Sequence, residues 1–444
     1  MENNWKSHRL GDICSLIKRG ISPKYVEEGG VCVINQKCIR DQRLSFEQSR
    51  RNNSKLRKIS DERYLRIGDM LVNSTGVGTL GRVARVKDLP EPTTVDSHVT
   101  ILRPASKEID SDYFSWAIRY NQPLFERLGE GSTGQTELSR KRVEDVVISA
   151  PSNITEQKAI AHILGSLDDK IELNRRMNET LEAMAQVLFK SWFVDFDPVV
   201  DNALAAGNEI PEELKERADI REALGDARKP LPEEMQNLFP SEFEHTEEMG
   251  WIPKGWRVGC LEDMVVLQRG FDLPKKTRTD GIYPLIAASG QDGTHNEAKV
   301  LGPGVVTGRS GKLGVVTFVQ DDFWPLNTTL WVKEYKKSSP YHTFLLLRTL
   351  GFERYNAGSA VPTLNRNHIH GMKLVVPSKR AVDQFSMFVQ SYFNKHFYNM
   401  NYSKELSKLR DTLLPQLLSG EIRIPEAEKL VADLERNGGS NGKS

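Results

Sequence analysis

The chain has 444 residues, of which 38% are hydrophobic and 27% are charged, and its formal net charge at pH 7 is +1. This length fits two to three domains, each large enough for a core of its own. No run of about 18 apolar residues is present and the N-terminus MENNWKSHRL lacks the apolar segment of a signal peptide, so we expect a cytoplasmic protein. The four cysteines form no CxxC pair, which argues against a zinc site or a disulfide framework.

Charge is distributed unevenly along the chain. Residues 1–66 carry 15 Lys and Arg against 8 Asp and Glu, whereas residues 201–250 carry 5 against 14. A basic module balanced by an acidic connector allows a nucleic-acid-binding protein to be nearly neutral overall.

Residues 1–152 have the pattern of a mixed α/β module. Short β-branched segments bounded by turn residues predict strands at VCVINQKCI, DMLVNSTG, GRVARV, SHVTILRP and DVVISAP. The apolar spacing of SDYFSWAIRYNQPLFERLG predicts a helix, with Ser111 or Asp112 as its N-cap.

Residues 153–196 predict a long helix, because the chain from Thr155 to Val194 contains no Pro and its apolar residues alternate in steps of three and four. With Ile160 at a heptad a position, Asn174 is also at a, where it would fix register. The predicted seam consists of Ile160, Ile163, Leu167, Leu181, Met184 and Leu188.

An acidic, Pro-punctuated connector follows at residues 197–255, with a short charged helix at PEELKERADIREALG. Residues 256–378 repeat the plan of the first module, with strands predicted at YPLIAAS, GVVTGRS, GVVTFV, TTLWVKE and MKLVVPS and a helix at PYHTFLLLRTLG. Residues 379–424 predict a second long helix with the seam Phe385, Phe388, Tyr392, Tyr402, Leu406, Leu409 and Leu413, and residues 425–444 form a C-terminal tail.

The two halves of the chain are repeats of each other. Matching landmarks are Trp5–Gly20 with Trp256–Gly270, GTLGRVARV from Gly78 with GKLGVVTFV from Gly311, and GSTGQTELSR from Gly131 with GSAVPTLNR from Gly358. Trp5 and Trp256 are 251 residues apart and Gly81 and Gly314 are 233 apart, whereas Gln157/Gln384 and Asn174/Asn401 are both 227 apart. Two variable modules with a spacer of constant length suit a two-part linear target better than an enzyme with one active centre.

The predicted fold is therefore mixed α/β (α+β), with two repeated globular domains separated by two long antiparallel coiled-coil helices. An alternative is that each helix only caps its own module, since periodicity does not identify the partner.

Motifs for catalysis are weak. Gly76, Gly78 and Gly81 spell GxGxxG, but the sequence that follows predicts a strand, not the helix N-terminus that a dinucleotide pyrophosphate requires. Gly311-Lys312 lacks the remainder of a P-loop. We predict no catalytic, cofactor-binding or metal site.

Long segments resemble a known family. TEQKAIAHILGSLDDKIELNRRMNETLEAMAQVLFKSWFVDFDPV (Thr155–Val199) is similar to the central conserved region of type I restriction–modification specificity subunits. LRDTLLPQLLSGEIRI (Leu409–Ile424) resembles their C-terminal conserved helix, and VINQKCI, NSTGVGTLGRV, GSAVPTLNRN and WIPKGW also match. The resemblance covers almost the whole chain.

This resemblance implies a non-catalytic subunit with two target-recognition domains, each reading one half of a bipartite double-stranded DNA target. The helices would set the spacing and dock two modification (methylase) subunits, which use S-adenosylmethionine, and restriction (motor-nuclease) subunits would use ATP and Mg²⁺. This chain itself would hold no cofactor. Two other classes remain open: a stand-alone DNA methyltransferase or nuclease, and a coiled-coil scaffold that does not bind DNA.

Candidate DNA-binding residues lie at the ends of predicted strands or in turns, where their side chains can donate to phosphates or base edges. In the first module they are Asn35, Gln36, Lys37, Asn73, Ser74, Thr75, Arg82, Ser97 and His98. In the second they are Arg269, Arg309, Ser310, Lys312, Asn327 and Thr328. Readout of individual bases is expected in the less familiar segments Asp41–Lys58 and Gln291–Lys299.

Overall fold

The computed structural model describes residues 5–129, 137–225, 231–355 and 362–440. The chain divides into two compact units, residues 1–174 with 401–444, and residues 175–400. The repeat landmarks that begin at Gly131 and Gly358 lie partly outside the described residues. Within those residues, no helix is both long and apolar enough to span a bilayer.

The first module consists mainly of short strands. Its strands are β1 (Trp5–Arg9), β2 (Cys14–Arg19), β3 (Tyr25–Val26), β4 (Val31–Ile34), β5 (Ile39–Arg40), β6 (Arg43–Leu44), β7 (Arg50–Asn52), β8 (Met70–Asn73), β9 (Val83–Arg85), β10 (Thr93–Val95), β11 (Val99–Pro104) and β12 (Val147–Pro151). Its helices are α1 (Leu10–Ile13), α2 (Ser111–Tyr120), α3 (Gln122–Arg127) and α4 (Arg140–Glu144). Each segment of this module predicted as a strand contains one, so those predictions are confirmed.

The predicted helix of the first module is confirmed, but its N-cap lies before both expected residues. The Asp110 carboxylate accepts hydrogen bonds from the backbone N–H groups of Asp112 and Tyr113, at 3.0 and 3.1 Å. Two otherwise unsatisfied donors of the first turn are thereby paired. Ser111 and Asp112 belong to that turn instead.

Two four-stranded sheets and two smaller two-stranded sheets form the first module. Strands β2, β11, β8 and β9 are hydrogen-bonded in that order, and β10, β4, β7 and β3 form the other four-stranded sheet, in which β10 and β4 are parallel. Strand β1 pairs antiparallel with β12, which brings the two ends of the module together. Helix α2 buries Tyr113, Phe114 and Trp116 in a core shared with the first long helix.

After the first long helix, α5 (Ile154–Phe193), the connector and second module follow. The connector contains α6 (Asp197–Ala206), α7 (Lys215–Ala223), α8 (Glu233–Gln236), β13 (Phe243–Thr246) and β14 (Gly250–Pro253). The second module contains β15 (Arg257–Cys260), α9 (Leu261–Met264), β16 (Val265–Arg269), β17 (Tyr283–Ala287), β18 (Gly290–His295), β19 (Gly304–Gly308), β20 (Val316–Val319), β21 (Trp324–Pro325), β22 (Thr329–Tyr335), α10 (Pro340–Thr349), α11 (Arg366–His370) and β23 (Lys373–Val376). The chain ends with α12 (Lys379–Ser419) and α13 (Ile424–Ser440).

The second module repeats the topology of the first. The strand order β16-β22-β19-β20 corresponds to β2-β11-β8-β9, and β15 pairs with β23 as β1 pairs with β12. The parallel pair β17 and β21 corresponds to β4 and β10. The repeat predicted from the sequence is therefore a repeat of the fold.

Two glycines of the repeat are required by close backbone packing. A Cβ atom on Gly20 would lie 1.9 Å from the carbonyl oxygen of Val95, and a Cβ on Gly270 would lie 2.2 Å from that of Leu326. Each glycine directly follows a strand, β2 or β16, at the point where the chain leaves that strand's sheet. The next residues, Ile21 and Phe271, form parallel bridges with Asp96 and Leu326. No side chain fits at either position.

We expect Gly20→Ala to destabilise the unit that contains it by about 3 kcal/mol, because backbone must move to relieve the collision. Gly165→Ala is the matched control: Gly165 lies inside helix α5, where a Cβ would meet no atom within 4 Å apart from the backbone of its own helix and its chain neighbours. Alanine there should raise stability by roughly 0.5–1 kcal/mol. Denaturant unfolding of both variants measures the difference, and equal stabilities would contradict the packing argument.

The long helices run antiparallel in each unit. In the first unit, Arg410 Nη1 donates to Asp168 at 2.8 Å and Asn174 Nδ2 donates to Ser403 Oγ at 3.1 Å. In the second, Asn399 Nδ2 donates to Asn178 Oδ1 at 2.9 Å, and the rings of Trp192 and Phe385 lie 5.8 Å apart. Residues later in α5 therefore contact residues earlier in α12, which confirms the predicted antiparallel pair.

The predicted seam in α5 is correct near the start of the helix and wrong by one residue farther along it. Ile160, Ile163 and Leu167 are buried as expected, but Met184 is 46% exposed. The second buried column is Leu164, Ile171, Ala185 and Trp192, at multiples of seven residues. In α12, Phe388 is 43% exposed and Val389 is buried in its place. Apolar residues occur both three and four positions after the first buried column, so only packing against the partner helix decides which of the two is buried.

The buried columns also correct the offset between the two helices. Ile160 corresponds to Phe385 and Leu164 to Val389, both 225 residues apart, and the helices begin 225 residues apart, at Ile154 and Lys379. At this offset Asn174 corresponds to Asn399. The offset of 227 residues inferred from the sequence paired Asn174 with Asn401, which lies two positions beyond its structural equivalent.

Helix α13 covers most of the segment named above as a C-terminal tail. Its Ala427 is buried in the core of the first unit, where Val431 and Leu434 are partly buried. The Lys170 ammonium of α5 also pairs with Glu435. Residues 424–440 are therefore integrated into the first unit.

Candidate nucleic-acid interface

In the first module, the predicted residues gather at one edge, where β4 and β8 end and β11 begins. The backbone N–H of Ser74 donates to the carbonyl of His98 at 2.8 Å. Asn73 Nδ2 donates to the carbonyl of Gln36 at 3.0 Å and to that of Thr79 at 3.1 Å. Residues from three separate segments thus form one continuous surface.

Two of the predicted residues lie beneath this surface. Asn73 and Ser74 are completely buried, and the Ser74 hydroxyl is bonded to the hydroxyl of Thr100. Their side chains hold the glycine-rich turn against the sheet. Burial favours a role in shaping the edge over direct contact with DNA.

The remaining predicted residues of the first module are accessible. Lys37 and His98 are exposed, whereas Asn35, Gln36, Thr75, Arg82 and Ser97 are half-buried. The Thr75 hydroxyl is 2.6 Å from Nδ1 of His98, so these two side chains are held together. Arg82 makes no side-chain hydrogen bond or ion pair with any residue that the structure describes, so its guanidinium can bind an external anion.

The turn between β8 and β9 contains the GxGxxG sequence. Gly76, Gly78 and Gly81 have φ values of 110°, 70° and 80°, in the region that favours glycine. Strand β9 follows directly, as predicted, so no helix N-terminus is available for a pyrophosphate. The turn instead places backbone at the same edge as Lys37 and His98.

The second module builds the corresponding edge with different side chains. The backbone N–H groups of Arg309 and Ser310 both donate to the carbonyl of Thr328, at 2.9 and 3.1 Å, as Ser74 does to His98. The N–H of Leu364 donates to the carbonyl of Arg309 at 2.8 Å, as Leu138 does to Ser74. The backbone frame is shared, and the residues that it presents differ.

Charge at the second edge is partly compensated. Arg269 lies 3.7 Å from Asp272, which also accepts a hydrogen bond from the side chain of Asn327. Lys312 is exposed and has no partner in the described part of the chain. The Thr328 hydroxyl accepts from the backbone N–H of Ala288 at 3.3 Å. Lys312 is therefore the most available cation among the predicted residues of this module.

Part of the segment expected to read bases faces the helices instead. Asp41 and Gln42 have φ values of 50° and 58° and form the tip of the β5–β6 hairpin. Gln42 Oε1 accepts from Arg119 Nε at 2.8 Å, and Arg43 forms an ion pair with Glu172 of α5 at 3.2 Å. The start of Asp41–Lys58 thus contributes to the attachment of the module to α5.

Later in the same segment, Arg50 and Tyr25 form an arrangement that sequence reasoning missed. The Arg50 guanidinium lies 3.4 Å from the centroid of the Tyr25 ring and is exposed, without a carboxylate partner among the described residues. Its neighbour Arg51 is neutralised by Glu91, at 2.8 and 3.0 Å. A surface cavity of about 550 Å³ is lined by Tyr25, Val26, Glu27, Ser49, Arg50 and Arg51.

This cavity is connected to the predicted edge. Asn35 Nδ2 donates to the carbonyl of Gln48 at 2.6 Å, two residues before Arg50. The adjacent arginines in a basic segment were the available sequence signal, but sequence does not show which of them is neutralised. In the second module, the corresponding segment Gln291–Lys299 lies mainly on β18, where Asp292 pairs with Arg278 at 2.9 Å.

A family model described as the type I restriction modification DNA specificity domain matches residues 2–183. The HindI specificity subunit of Haemophilus influenzae is 26% identical, with 95% of this chain and 100% of the relative covered. The chain is therefore similar to type I restriction–modification specificity subunits over nearly its whole length. A second specificity subunit, MjaIX of Methanocaldococcus jannaschii, is 26% identical over 79% of this chain and 77% of its own. The crystal structure of the type I S subunit from M. genitalium shares the fold, with a TM-score of 0.55, 16% identity, and coverage of 94% of this chain and 96% of that one.

Proposed function

We propose that this specificity subunit supplies the DNA sequence recognition of a type I restriction–modification complex, with each module reading one half of a bipartite double-stranded target. The observation that carries the proposal is the edge built twice on one backbone frame, with Thr75, Arg82 and His98 in one module and Arg309 and Lys312 in the other. A shared frame with different side chains is suited to two different half-sites. The match of residues 2–183 to a DNA specificity domain supports DNA as the ligand.

The helices carry the second part of the proposal, in which they set the gap between half-sites and dock two modification subunits. Helices α5 and α12 each contribute residues to both units. On α5, Met184 and Val187 are 46% and 69% exposed, and such apolar side chains are available to a partner protein. Restriction subunits would complete the complex.

In this proposal, the catalytic reactions belong to the partner subunits. Modification subunits would supply S-adenosylmethionine, and motor-nuclease subunits would supply ATP hydrolysis with Mg²⁺. The role of this chain would be to bind DNA and position those subunits without catalysis of its own. The complex would act in the cytoplasm, where the chromosome is accessible.

Methylation mapping tests this function. Genomic DNA from cells that express the chain with its modification subunit is compared with DNA from cells that express the modification subunit alone. We expect adenine methylation at a two-part motif only when both are present. Absence of new methylation, from subunits shown to be associated, would favour the coiled-coil scaffold that does not bind DNA. Methylation or cleavage by the isolated chain would favour the stand-alone enzyme.

Arg50 provides a side-chain prediction for the first module. Its exposed guanidinium, oriented by Tyr25, is free to contact phosphate or a guanine edge, so we expect Arg50→Ala to weaken binding of the target duplex by about 5- to 100-fold. Arg51→Ala is the control, because Arg51 is already paired with Glu91; its effect should stay within about threefold. Fluorescence anisotropy of the assembled complex measures both. Equal effects of the two variants would exclude Arg50 from the interface.

A further inference from the structure

The two modules attach to their long helices through different chemistry at equivalent positions. Arg85 pairs with Met70 in the β8–β9 ladder, and Phe318 occupies the same place beside Val305 in the β19–β20 ladder. Asp112 and Tyr341 are the second residues of α2 and α10. An Arg85–Asp112 ion pair in the first module therefore replaces a Phe318–Tyr341 stack in the second.

In the second module, an aromatic cluster is centred on α12. The ring of Phe393 lies 4.7 Å from that of Phe318, 5.1 Å from Tyr341 and 5.7 Å from Phe344. Such contacts depend on apolar burial and ring packing, which salt does not screen. Phe393 holds strand β20 and helix α10 against α12.

The residue of α5 equivalent to Phe393 at the offset of 225 is Asp168. Its side chain is 12% exposed and accepts from Arg119 at 3.2 and 3.3 Å, from Lys87 at 3.3 Å and from Arg410 at 2.8 Å. Burial alone would raise the pKa of Asp168, but attraction by Arg119, Lys87 and Arg410 outweighs it and holds that pKa well below its usual range. The carboxylate is therefore ionised and shared by three cations.

These cations belong to different parts of the first unit. Arg119 lies on α2 and Lys87 follows β9, both in the module, whereas Arg410 lies on α12. Arg119 also donates to Gln42, so the β5–β6 hairpin joins the same network. A surface cavity of about 450 Å³ beside the network is lined in part by Arg85, Lys87, Asp112, Arg119 and Asp168.

We propose that Asp168 is a positioning residue that fixes the orientation of the first recognition module on its helices, acting through Arg119 and Lys87. Loss of the carboxylate leaves Arg119 buried without its counter-ion, so that the module is no longer held in one orientation on the helices. The second module does not depend on such a group, because Phe393 performs the same task by packing. The consequence for DNA rests on the proposed function: a module whose orientation varies binds its half-site at more than one distance from the other half-site.

Asp168→Asn in the full chain, assembled with its modification subunit, tests the proposal. On the target found by methylation mapping, we expect about tenfold weaker binding and a reduced preference for the native gap over a gap one base pair longer. Without DNA, hydrogen exchange should rise at α2 and the β5–β6 hairpin and stay unchanged at α10. A general loss of stability would raise exchange throughout the core of the first unit and would not change the gap preference.

Two further variants provide the controls. Asp169→Asn alters the neighbouring aspartate, whose side chain is 77% exposed and, within the described residues, forms an ion pair with Lys87 alone, so it should behave as wild type. Lys87→Gln changes a half-exposed side chain without endangering folding and should reduce the gap preference by a smaller factor than Asp168→Asn. Wild-type gap preference in Asp168→Asn would overturn the proposal. Failure of the wild-type complex to bind any two-part target would instead contradict the proposed function, and the exchange data would still decide the role of Asp168.

Discussion

Exchanging residues 1–152 for the same module of a relative is expected to change one half of the DNA target and leave the other half unaltered. The junction falls between strand β12, which ends at Pro151, and helix α5, which begins at Ile154. Gln157, which is completely buried, holds this junction through the backbone of Glu108, Asp110 and Pro151, so most donor sequences can satisfy it. Specific and non-specific DNA sites differ by about 10³-fold or more in affinity, so methylation of the original motif should fall by at least about that factor.

The reciprocal exchange, of residues 256–378, is the matched control and should alter only the other half-site. The donor of the first module should retain cations equivalent to Lys87 and Arg119, because Asp168 on α5 requires them. Methylation mapping of both hybrids gives the two motifs. A change in both halves from either exchange would show that recognition is not modular.

Lengthening both long helices by one heptad is expected to widen the preferred gap between half-sites by about three base pairs. Seven residues add about 10.5 Å of helix, and B-DNA rises about 3.4 Å per base pair. The insertions belong after Glu172 in α5 and after Glu405 in α12, which lie at one level because Asn174 contacts Ser403. Seven residues preserve the buried columns, so the pair should remain folded. Binding at the original gap should fall by at least about 100-fold, since one half-site moves out of reach.

Inserting four residues after Glu172 in α5 alone is a second spacer variant. It lengthens α5 by about 6 Å, so we expect the preferred gap to widen. The measurement is methylation of a set of targets whose gaps differ by single base pairs. Full activity of the paired-heptad variant at the unchanged gap would mean that the helices do not set the spacing.

Local sequence determined the secondary-structure elements of this protein and its resemblance to the specificity subunits. Strand segments such as VCVINQKCI and the two long helices were predictable, because β-branched runs bounded by turns and three-four apolar spacing act over a few residues. The repeat was also visible, since Gly20 and Gly270 are required by backbone contacts that no side chain permits. The candidate DNA edge could be approximated from the ends of strands.

Tertiary structure decided which faces of those elements are used. Spacing allowed Phe388 or Val389 in the seam of α12, and packing against α5 selected Val389. Asn73 ends strand β8, as expected, but it is buried, and its amide links the turns that follow β4 and β8. Whether Arg50 or Arg51 is free depends on Glu91, 40 residues away from Arg51. Asp168 was indistinguishable from a solvated charge until Arg119 and Arg410 were brought to it. A residue's spacing is set by its neighbours in sequence, but its burial and its ionic partners are set by residues far along the chain, and these long-range contacts determine the site.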